Sequence, residues 1–215
     1  MAPPGRLTLP NLITIGRILA CPAVFVLVFI PSTTGRFISF VLFLAAALSD
    51  LWDGYLARKH GWVTDLGKLL DPLADKLLLA ATVIPIFVLS RGGGEVGPLP
   101  WWGALPVWVV VLIFGRELAI TLFRVWAARG GVVISAGKSG KWKALFQNFF
   151  SGGVLLWYPL QMVASRRDWT GAFWSFWKGL HGAWIGITLS VAILLTVYSM
   201  ADYFWSYRSL VGVKR

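Results

Sequence analysis

The chain has 215 residues, of which 57% are hydrophobic and 13% charged. Soluble domains carry about 25% charged residues, so this composition excludes a soluble globular protein and indicates an integral membrane protein. The net charge of +11 would also suit nucleic acid, but the basic residues flank apolar stretches, as they do beside anionic lipid headgroups, and we expect no nucleic-acid partner. The single cysteine, Cys21, excludes internal disulfides and is predicted to be a buried packing residue.

Apolar stretches of about 20 residues predict six transmembrane helices. These helices are predicted near residues 11–31, 35–58, 69–90, 101–128, 142–162 and 181–206. A short interfacial helix is predicted ahead of the first span, around Leu7, Leu9, Leu12 and Ile13. The predicted fold is therefore an all-α integral membrane protein with one membrane domain. It comprises an N-terminal interfacial segment (1–10), a six-helix domain (11–206) and a cytoplasmic tail (207–215).

The distribution of basic residues predicts the orientation in the membrane. Six spans place both termini on one side, where twelve basic residues flank the helix ends against five on the opposite side. The positive-inside rule then puts both termini in the cytoplasm. The first residues lack a signal-peptide pattern, and a bacterial inner (plasma) membrane fits such a chain.

Acidic residues concentrate in one stretch of the chain. Five of the nine fall between positions 50 and 75, and four of them, Asp50, Asp53, Asp71 and Asp75, lie inside or at the ends of apolar segments. A charge at membrane depth costs roughly 2.5–3.5 kcal/mol, so four carboxylates need a compensating charge. Hard divalent cations prefer carboxylate oxygens, which predicts a metal site at the membrane surface.

The spacing of these residues suits a shared site. On a helix, Asp50, Asp53, Gly54 and Ala57 occupy one face, and Asp71 and Asp75 share a face of the next helix. The short loop between makes the two helices antiparallel neighbours, so their acidic faces can meet. The small residues beside the carboxylates leave room for a phosphate or a planar group, and Arg58 at the helix end is placed to hold a phosphate.

Other interpretations of the same residues remain open. An intramembrane aspartate can be a structural hydrogen-bond partner or part of a proton relay in a transporter. Gly54 and Ala57 taken alone indicate close helix packing. Asp65 lies off the pattern and is interpreted as a solvated charge or a helix cap. His60 and His181 are interpreted as bystanders.

The stretch from Asp50 to Asp75 resembles the signature of the CDP-alcohol phosphotransferase family. That signature reads Asp-x2-Asp-Gly-x2-Ala-Arg-x8-Gly-x3-Asp-x3-Asp, and all eight of its positions match, including Gly67. The resemblance implies a six-helix, usually homodimeric membrane fold with a polar cavity open to the cytoplasm. It also implies transfer of a phosphatidyl group from a CDP-linked lipid to an alcohol, with release of CMP.

The resemblance also implies roles for individual residues. Asp50, Asp53 and Asp71 would be ligands to one or two Mg2+ or Mn2+ ions, and Asp75 would be the general base, with a possible share in the metal. Cytidine would lie against Gly54 and Ala57, and the diphosphate would contact Arg58. Gly67 would allow close approach of the third helix.

Basic residues elsewhere predict the acceptor. The predicted pocket for a phosphate monoester consists of Arg116, Arg124, Lys141 and Lys143. Alternatively, Arg116 forms an internal ion pair with Glu117. The Gly115-Arg116-Glu117 motif and the Gly140-Lys141-Trp142-Lys143 motif resemble the phosphatidylglycerophosphate-forming branch of the family, although Ala144 replaces a threonine common there. This resemblance implies CDP-diacylglycerol as donor and glycerol 3-phosphate as acceptor.

Three alternatives remain for the function. The acceptor could be inositol phosphate, or phosphatidylglycerol to give cardiolipin, and an ion-coupled transporter would also place carboxylates at membrane depth.

The N-terminal segment also resembles the phosphatidylglycerophosphate-forming branch, at Asn11, Thr14 and Arg17. These residues either line the cavity mouth or form a helix start with a snorkelling arginine.

Overall fold

A computed structural model describes residues 8–62, 64–92, 96–132 and 138–208 of the chain. Within its helices, the description leaves out the side chains at positions 51, 54, 55, 57, 58, 65 and 138. The described residues form six helices and one isolated β-bridge, between Leu99 and Gly103. The helices are α1 (Leu9–Phe29), α2 (Thr33–His60), α3 (Asp65–Leu89), α4 (Val107–Arg129), α5 (Lys138–Arg166) and α6 (Ala172–Ser206). The predicted all-helical architecture is confirmed.

Among the described residues, four segments are long and apolar enough to cross a bilayer, which indicates a membrane protein. They are Leu9–Phe29, Thr33–Asp50, Leu66–Leu89 and Ala172–Ser206. The other two helices, α4 and α5, are not among these candidate spans, and α4 carries Arg116, Glu117 and Arg124 within its length. Charged side chains in a membrane helix are expensive and usually face the protein interior.

The helices pack as two groups that share a core. The first group is α1 against α2 and α3, the second is α5 against α6, and contacts between α2 and α5 join them. The core between them is apolar and includes Val24, Phe43, Phe150 and Leu189. Helix α4 lies at the edge, packed on α6 and α3. The acidic end of α2 and the start of α3 are therefore adjacent to α1.

Several helix ends differ from the prediction. No break separates Leu9–Ile13 from the first span, because these residues are the first turn of α1, with Pro10 in the opening positions where its missing N–H costs nothing. Helix α4 begins at Val107 instead of residue 101, since Pro106 is its N-cap and residues 99–103 form a tight bridged turn. Helix α6 begins at Ala172 instead of residue 181, because the aromatic segment at 172–180 continues the helix.

The bridged turn before α4 packs closely on α6. Trp101 has a φ of 68°, a left-handed conformation that is rare for a bulky residue. This conformation lays its indole over Gly186, where an added Cβ would overlap the ring. One turn earlier, a Cβ at Gly182 would lie 3.1 Å from Cβ of Pro100. The absence of side chains at these two glycines of α6 therefore leaves the space in which the turn packs.

We expect Gly186→Ala to destabilise the fold by about 1–3 kcal/mol, because the new methyl group displaces the Trp101 indole. At about 2–4 °C per kcal/mol, thermal unfolding in detergent should shift down by several degrees. Gly179→Ala is the matched control on the same helix, since a Cβ there meets nothing within 4 Å. It should be neutral or slightly stabilising. Equal melting temperatures for the two variants would contradict the packing.

Candidate active site

Three aspartates converge on one buried arginine, Arg17. Its Nη1 donates to Asp50 Oδ1 at 2.5 Å and to Asp75 Oδ1 at 3.0 Å, and its Nη2 donates to Asp53 Oδ2 at 2.6 Å. The Arg17 side chain is fully buried. A planar guanidinium presents its donors in a fixed fork, so one residue of α1 holds carboxylates from both α2 and α3. The predicted meeting of the two acidic helix faces is thus observed, with a cation between them.

The fourth aspartate joins the cluster through Thr14, one turn before Arg17 on α1. Thr14 Oγ1 lies 3.0 Å from Asp71 Oδ1 and 3.3 Å from Asp53 Oδ2. It also lies 3.0 Å from the carbonyl oxygen of Pro10. Thr14 therefore bridges the carboxylates of α2 and α3 next to the Arg17 ion pairs, since Asp53 Oδ2 also accepts from Arg17.

The cluster has a closed side and an open side. Asp53 lies on the closed side, where 4% of its side chain is accessible. Asp50 and Asp75 form the open side, with 44% and 61% of their side chains accessible. A reactant can therefore approach Asp75 and Asp50 directly, whereas the Asp53 side chain is almost wholly covered.

The start of α3 is fixed by a small polar contact with α1. Thr64 is the N-cap of α3 and accepts from the Gly67 backbone N–H at 3.0 Å, as N-cap threonines do. Its hydroxyl donates to Asn11 Oδ1, also at 3.0 Å. A Cβ at Gly67 would lie only 3.0 Å from that Asn11 oxygen. Gly67 therefore permits close approach of α1 to α3.

The donor set has the chemistry of a hard-cation site. Carboxylate oxygens and one hydroxyl surround a place that already holds positive charge, which fits Mg2+ or Mn2+. As the side chains stand, however, the described residues contain no group of three His, Cys, Asp or Glu arranged around one point. A metal would therefore have to share the carboxylates with Arg17 or move its side chain aside.

A second charged cluster gathers around Glu117 of α4. Its carboxylate accepts from Arg116 Nη1 at 3.0 Å and from Lys143 Nζ of α5 in a very short contact. Arg116 Nε also donates to Ser199 Oγ of α6 at 3.2 Å. Lys143 is buried and lies close enough to Asp75 for their charges to interact. The acidic and basic clusters are therefore neighbours.

The remaining predicted site residues lie apart from these two clusters or outside the description. Arg124 donates through Nε to Tyr203 OH at 3.2 Å, within an aromatic group that includes Phe123. Lys141 is exposed at the start of α5. The side chains of Ala57 and Arg58, and the surroundings of Gly54, lie outside the described residues. Of the four predicted pocket residues, the structure brings together Arg116 and Lys143.

Comparison with known protein families shows which family this chain belongs to. The family model for CDP-alcohol phosphatidyltransferase matches residues 7–197, which include the charged residues of both clusters. The chain belongs to the CDP-alcohol phosphatidyltransferase family. The resemblance inferred from the aspartate signature is confirmed, and family membership favours a transferase over an ion-coupled transporter.

Individual members of this family are similar over much of the chain. A CDP-diacylglycerol–glycerol-3-phosphate 3-phosphatidyltransferase of Arabidopsis thaliana, chloroplastic/mitochondrial, is 39% identical over 92% of this chain and 62% of its own length. The Bacillus subtilis protein of the same name is 32% identical over 80% of this chain and 91% of its own length. A CMP-forming cardiolipin synthase of Oryza sativa is 35% identical over 67% of this chain and 44% of its own length. The chain thus spans less than two thirds of the Arabidopsis relative.

The sequence did not predict that Arg17 lies at the centre of the aspartate cluster. The signal was present, because the buried residues of α1 include Asn11, Thr14, Arg17, Cys21 and Val24 at spacings of three and four. Such a stripe faces neighbouring helices, not lipid. Arg17 is buried among carboxylates and is therefore not a snorkelling residue. Cys21 is buried as predicted, with Sγ 3.2 Å from the Arg17 carbonyl oxygen.

Proposed function

We propose that this chain transfers the phosphatidyl group of CDP-diacylglycerol to sn-glycerol 3-phosphate, giving phosphatidylglycerophosphate and CMP. The observation that carries the proposal is the proximity of two charged clusters of opposite character, since Lys143 and Asp75 lie close enough for their charges to interact. The aspartates of α2 and α3 suit a metal-bound diphosphate, and the cations around Glu117 suit an acceptor that brings its own phosphate. The names of the Arabidopsis and Bacillus relatives support the same reaction.

The donor side of the proposed site is the aspartate cluster. Asp50, Asp53 and Asp71 would hold one or two Mg2+ or Mn2+ ions, with Asp75 able to share one. A divalent ion held by these carboxylates would neutralise the diphosphate and would stabilise the charge that develops on the departing CMP oxygen. Gly54, Ala57, Arg58 and Gly67 are proposed to bind the cytidine diphosphate portion, as the family signature implies.

The proposed chemical step is direct attack by the acceptor. The terminal hydroxyl oxygen of glycerol 3-phosphate bonds to the β-phosphorus, and the bond from that phosphorus to the CMP oxygen breaks. The hydroxyl proton passes to a carboxylate oxygen of Asp75, which is the most accessible of the three aspartates around Arg17. Arg17 keeps Asp75 oriented through the 3.0 Å ion pair at its Oδ1. CMP leaves with the electron pair of the broken bond.

The acceptor side is proposed to comprise Arg116 and Lys143, which Glu117 holds together. Arg124 and Lys141 are also proposed to bind the acceptor phosphate, on the sequence pattern alone, since they lie apart from the two clusters. A phosphate monoester gains charge-assisted hydrogen bonds from such cations. A cardiolipin-forming reaction is the second candidate, because the rice relative carries that name. Its acceptor, phosphatidylglycerol, carries a bulky lipid body and a phosphodiester.

The proposed setting is the bacterial inner membrane, crossed by all six helices in a homodimer. Both termini and the two clusters would then face the cytoplasm, as the distribution of basic residues predicts. The lipid donor would reach the aspartates sideways from the inner leaflet, and the water-soluble acceptor would arrive from the cytoplasm.

The test is CMP release by the purified protein with CDP-diacylglycerol and Mg2+ or Mn2+. Glycerol 3-phosphate, inositol 1-phosphate, phosphatidylglycerol and plain glycerol are offered in separate reactions. We expect release with glycerol 3-phosphate and at least tenfold less with each of the others. Release with phosphatidylglycerol alone would replace the proposal by cardiolipin formation. Release that persists after chelation with EDTA would contradict the metal assignment.

A further inference from the structure

We propose that Lys76 binds the phosphate of the acceptor and thereby selects phosphorylated acceptors. This inference rests on the proposed function and assigns a role to a cation that neither cluster uses. Lys76 directly follows the proposed base Asp75 on α3 and is partly buried. Neighbouring residues of a helix point in different directions, about 100° apart. Asp75 contacts Arg17 on α1, whereas Lys76 reaches α4.

The position of the Lys76 ammonium is fixed by a hydroxyl instead of a carboxylate. Its Nζ donates to Thr121 Oγ1 at 2.7 Å, and that hydroxyl donates to the Glu117 carbonyl oxygen at 2.6 Å. Within the part of the chain that the structure describes, Lys76 has no ion-pair partner. An ammonium has three donors, and only one is engaged here. Lys76 is therefore free to bind an incoming anion.

The other two cations of this region are already partly neutralised. Arg116 and Lys143 share the single carboxylate of Glu117. With Lys76 included, and the neighbouring aspartate cluster set aside, three cations from α3, α4 and α5 stand against the one carboxylate of Glu117, which is an excess of two positive charges. A phosphate monoester carries about −1.5 to −2 charge at pH 7, which matches that excess.

The geometry of the acceptor also fits adjacent positions on α3. In glycerol 3-phosphate, the reacting hydroxyl and the phosphate stand at the two ends of a three-carbon chain. Their partners must therefore be close neighbours without coinciding, as Asp75 and Lys76 are. Gln147 adds a further polar group near Lys143, one turn on along α5. Among the described residues its buried Nε2 donor has no partner, and phosphate or hydroxyl oxygens would supply one.

Lys76→Met tests the inference by direct binding, without turnover. Equilibrium binding of radiolabelled glycerol 3-phosphate to the purified full chain should weaken roughly 10- to 100-fold in this variant, because a charge-assisted hydrogen bond is lost. Lys76→Arg should recover most of the affinity. Lys178→Met, which removes an exposed lysine at the start of α6, should bind as wild type does. Wild-type affinity in Lys76→Met would overturn the proposal.

Two further measurements separate binding from a structural role and from failure of the proposed function. Thr121→Val removes the contact between α3 and α4 but keeps the lysine charge, so it should weaken binding by less than about threefold. If it weakened binding as much as Lys76→Met, the lysine would act only as a helix link. The apparent KM for CDP-diacylglycerol should stay within about twofold in Lys76→Met. Absence of glycerol 3-phosphate binding by wild type would instead reject the proposed acceptor, and the role of Lys76 with it.

Discussion

Asp75→Asn is expected to lower the rate of CMP release at least 100-fold while leaving the protein folded. A positioned general base contributes about 10²–10⁴-fold, and asparagine cannot accept the hydroxyl proton. Folding should be little affected, because 61% of the Asp75 side chain is accessible and Arg17 retains Asp50 and Asp53 as partners. The amide oxygen of asparagine can still accept from the guanidinium. The loss should therefore appear in kcat and not in the amount of folded protein.

The measurement is initial-rate CMP release over a range of acceptor concentrations, together with CMP binding in the presence of Mg2+. Metal-dependent CMP binding should remain within a few-fold of wild type, since Asp50, Asp53 and Asp71 are proposed to carry the metal. Asp168→Asn is the matched control: Asp168 lies in the turn between α5 and α6 with a φ of 48°, a conformation that asparagine also adopts readily. Turnover by Asp75→Asn at the rate of the control would remove Asp75 as the base.

The helical fold was largely predictable because its dominant signal is local. Membrane spans need long apolar stretches, and such stretches stand out in the sequence without knowledge of their partners. The ends were less predictable where tertiary contacts decide them. The turn that delays α4 depends on Trp101 packing against Gly186, which lies 85 positions further along the chain. Composition alone made residue 101 look like the beginning of a span.

The candidate site was predictable to the extent that its residues stand at fixed spacings in α2 and α3. The aspartate signature located Asp50, Asp53, Asp71 and Asp75, which the structure places around Arg17 and Thr14. The partners from α1 were uncertain because their contacts join residues more than 30 positions apart. Lys76 was overlooked for a related reason. Its partner Thr121 lies on a different helix, and nothing in the local sequence distinguishes the residue after Asp75.

Arg17→Met is expected to destabilise the metal-free protein by about 3–5 kcal/mol. Removing one member of a buried ion-pair network leaves the remaining charges without compensation. The charge most affected is that of Asp53, because only 4% of its side chain is accessible. At about 2–4 °C per kcal/mol, the melting temperature measured in EDTA should fall by about 10 °C. Arg17→Lys should fall between wild type and Arg17→Met, because it keeps the charge but not the two-pronged geometry.

The distinguishing result is the response of Arg17→Met to divalent cations. If Arg17 supplies positive charge that a metal can also supply, Mg2+ or Mn2+ should raise the melting temperature of Arg17→Met more than that of wild type. Arg91→Met is the control, since Arg91 is exposed and stacks over the ring of Phe87; its change should stay within about 2 °C. A melting temperature of Arg17→Met in EDTA equal to that of wild type would mean that the guanidinium does not hold the aspartates together. If Mg2+ or Mn2+ raised the melting temperatures of Arg17→Met and wild type equally, Arg17 and the metal would bind at separate positions.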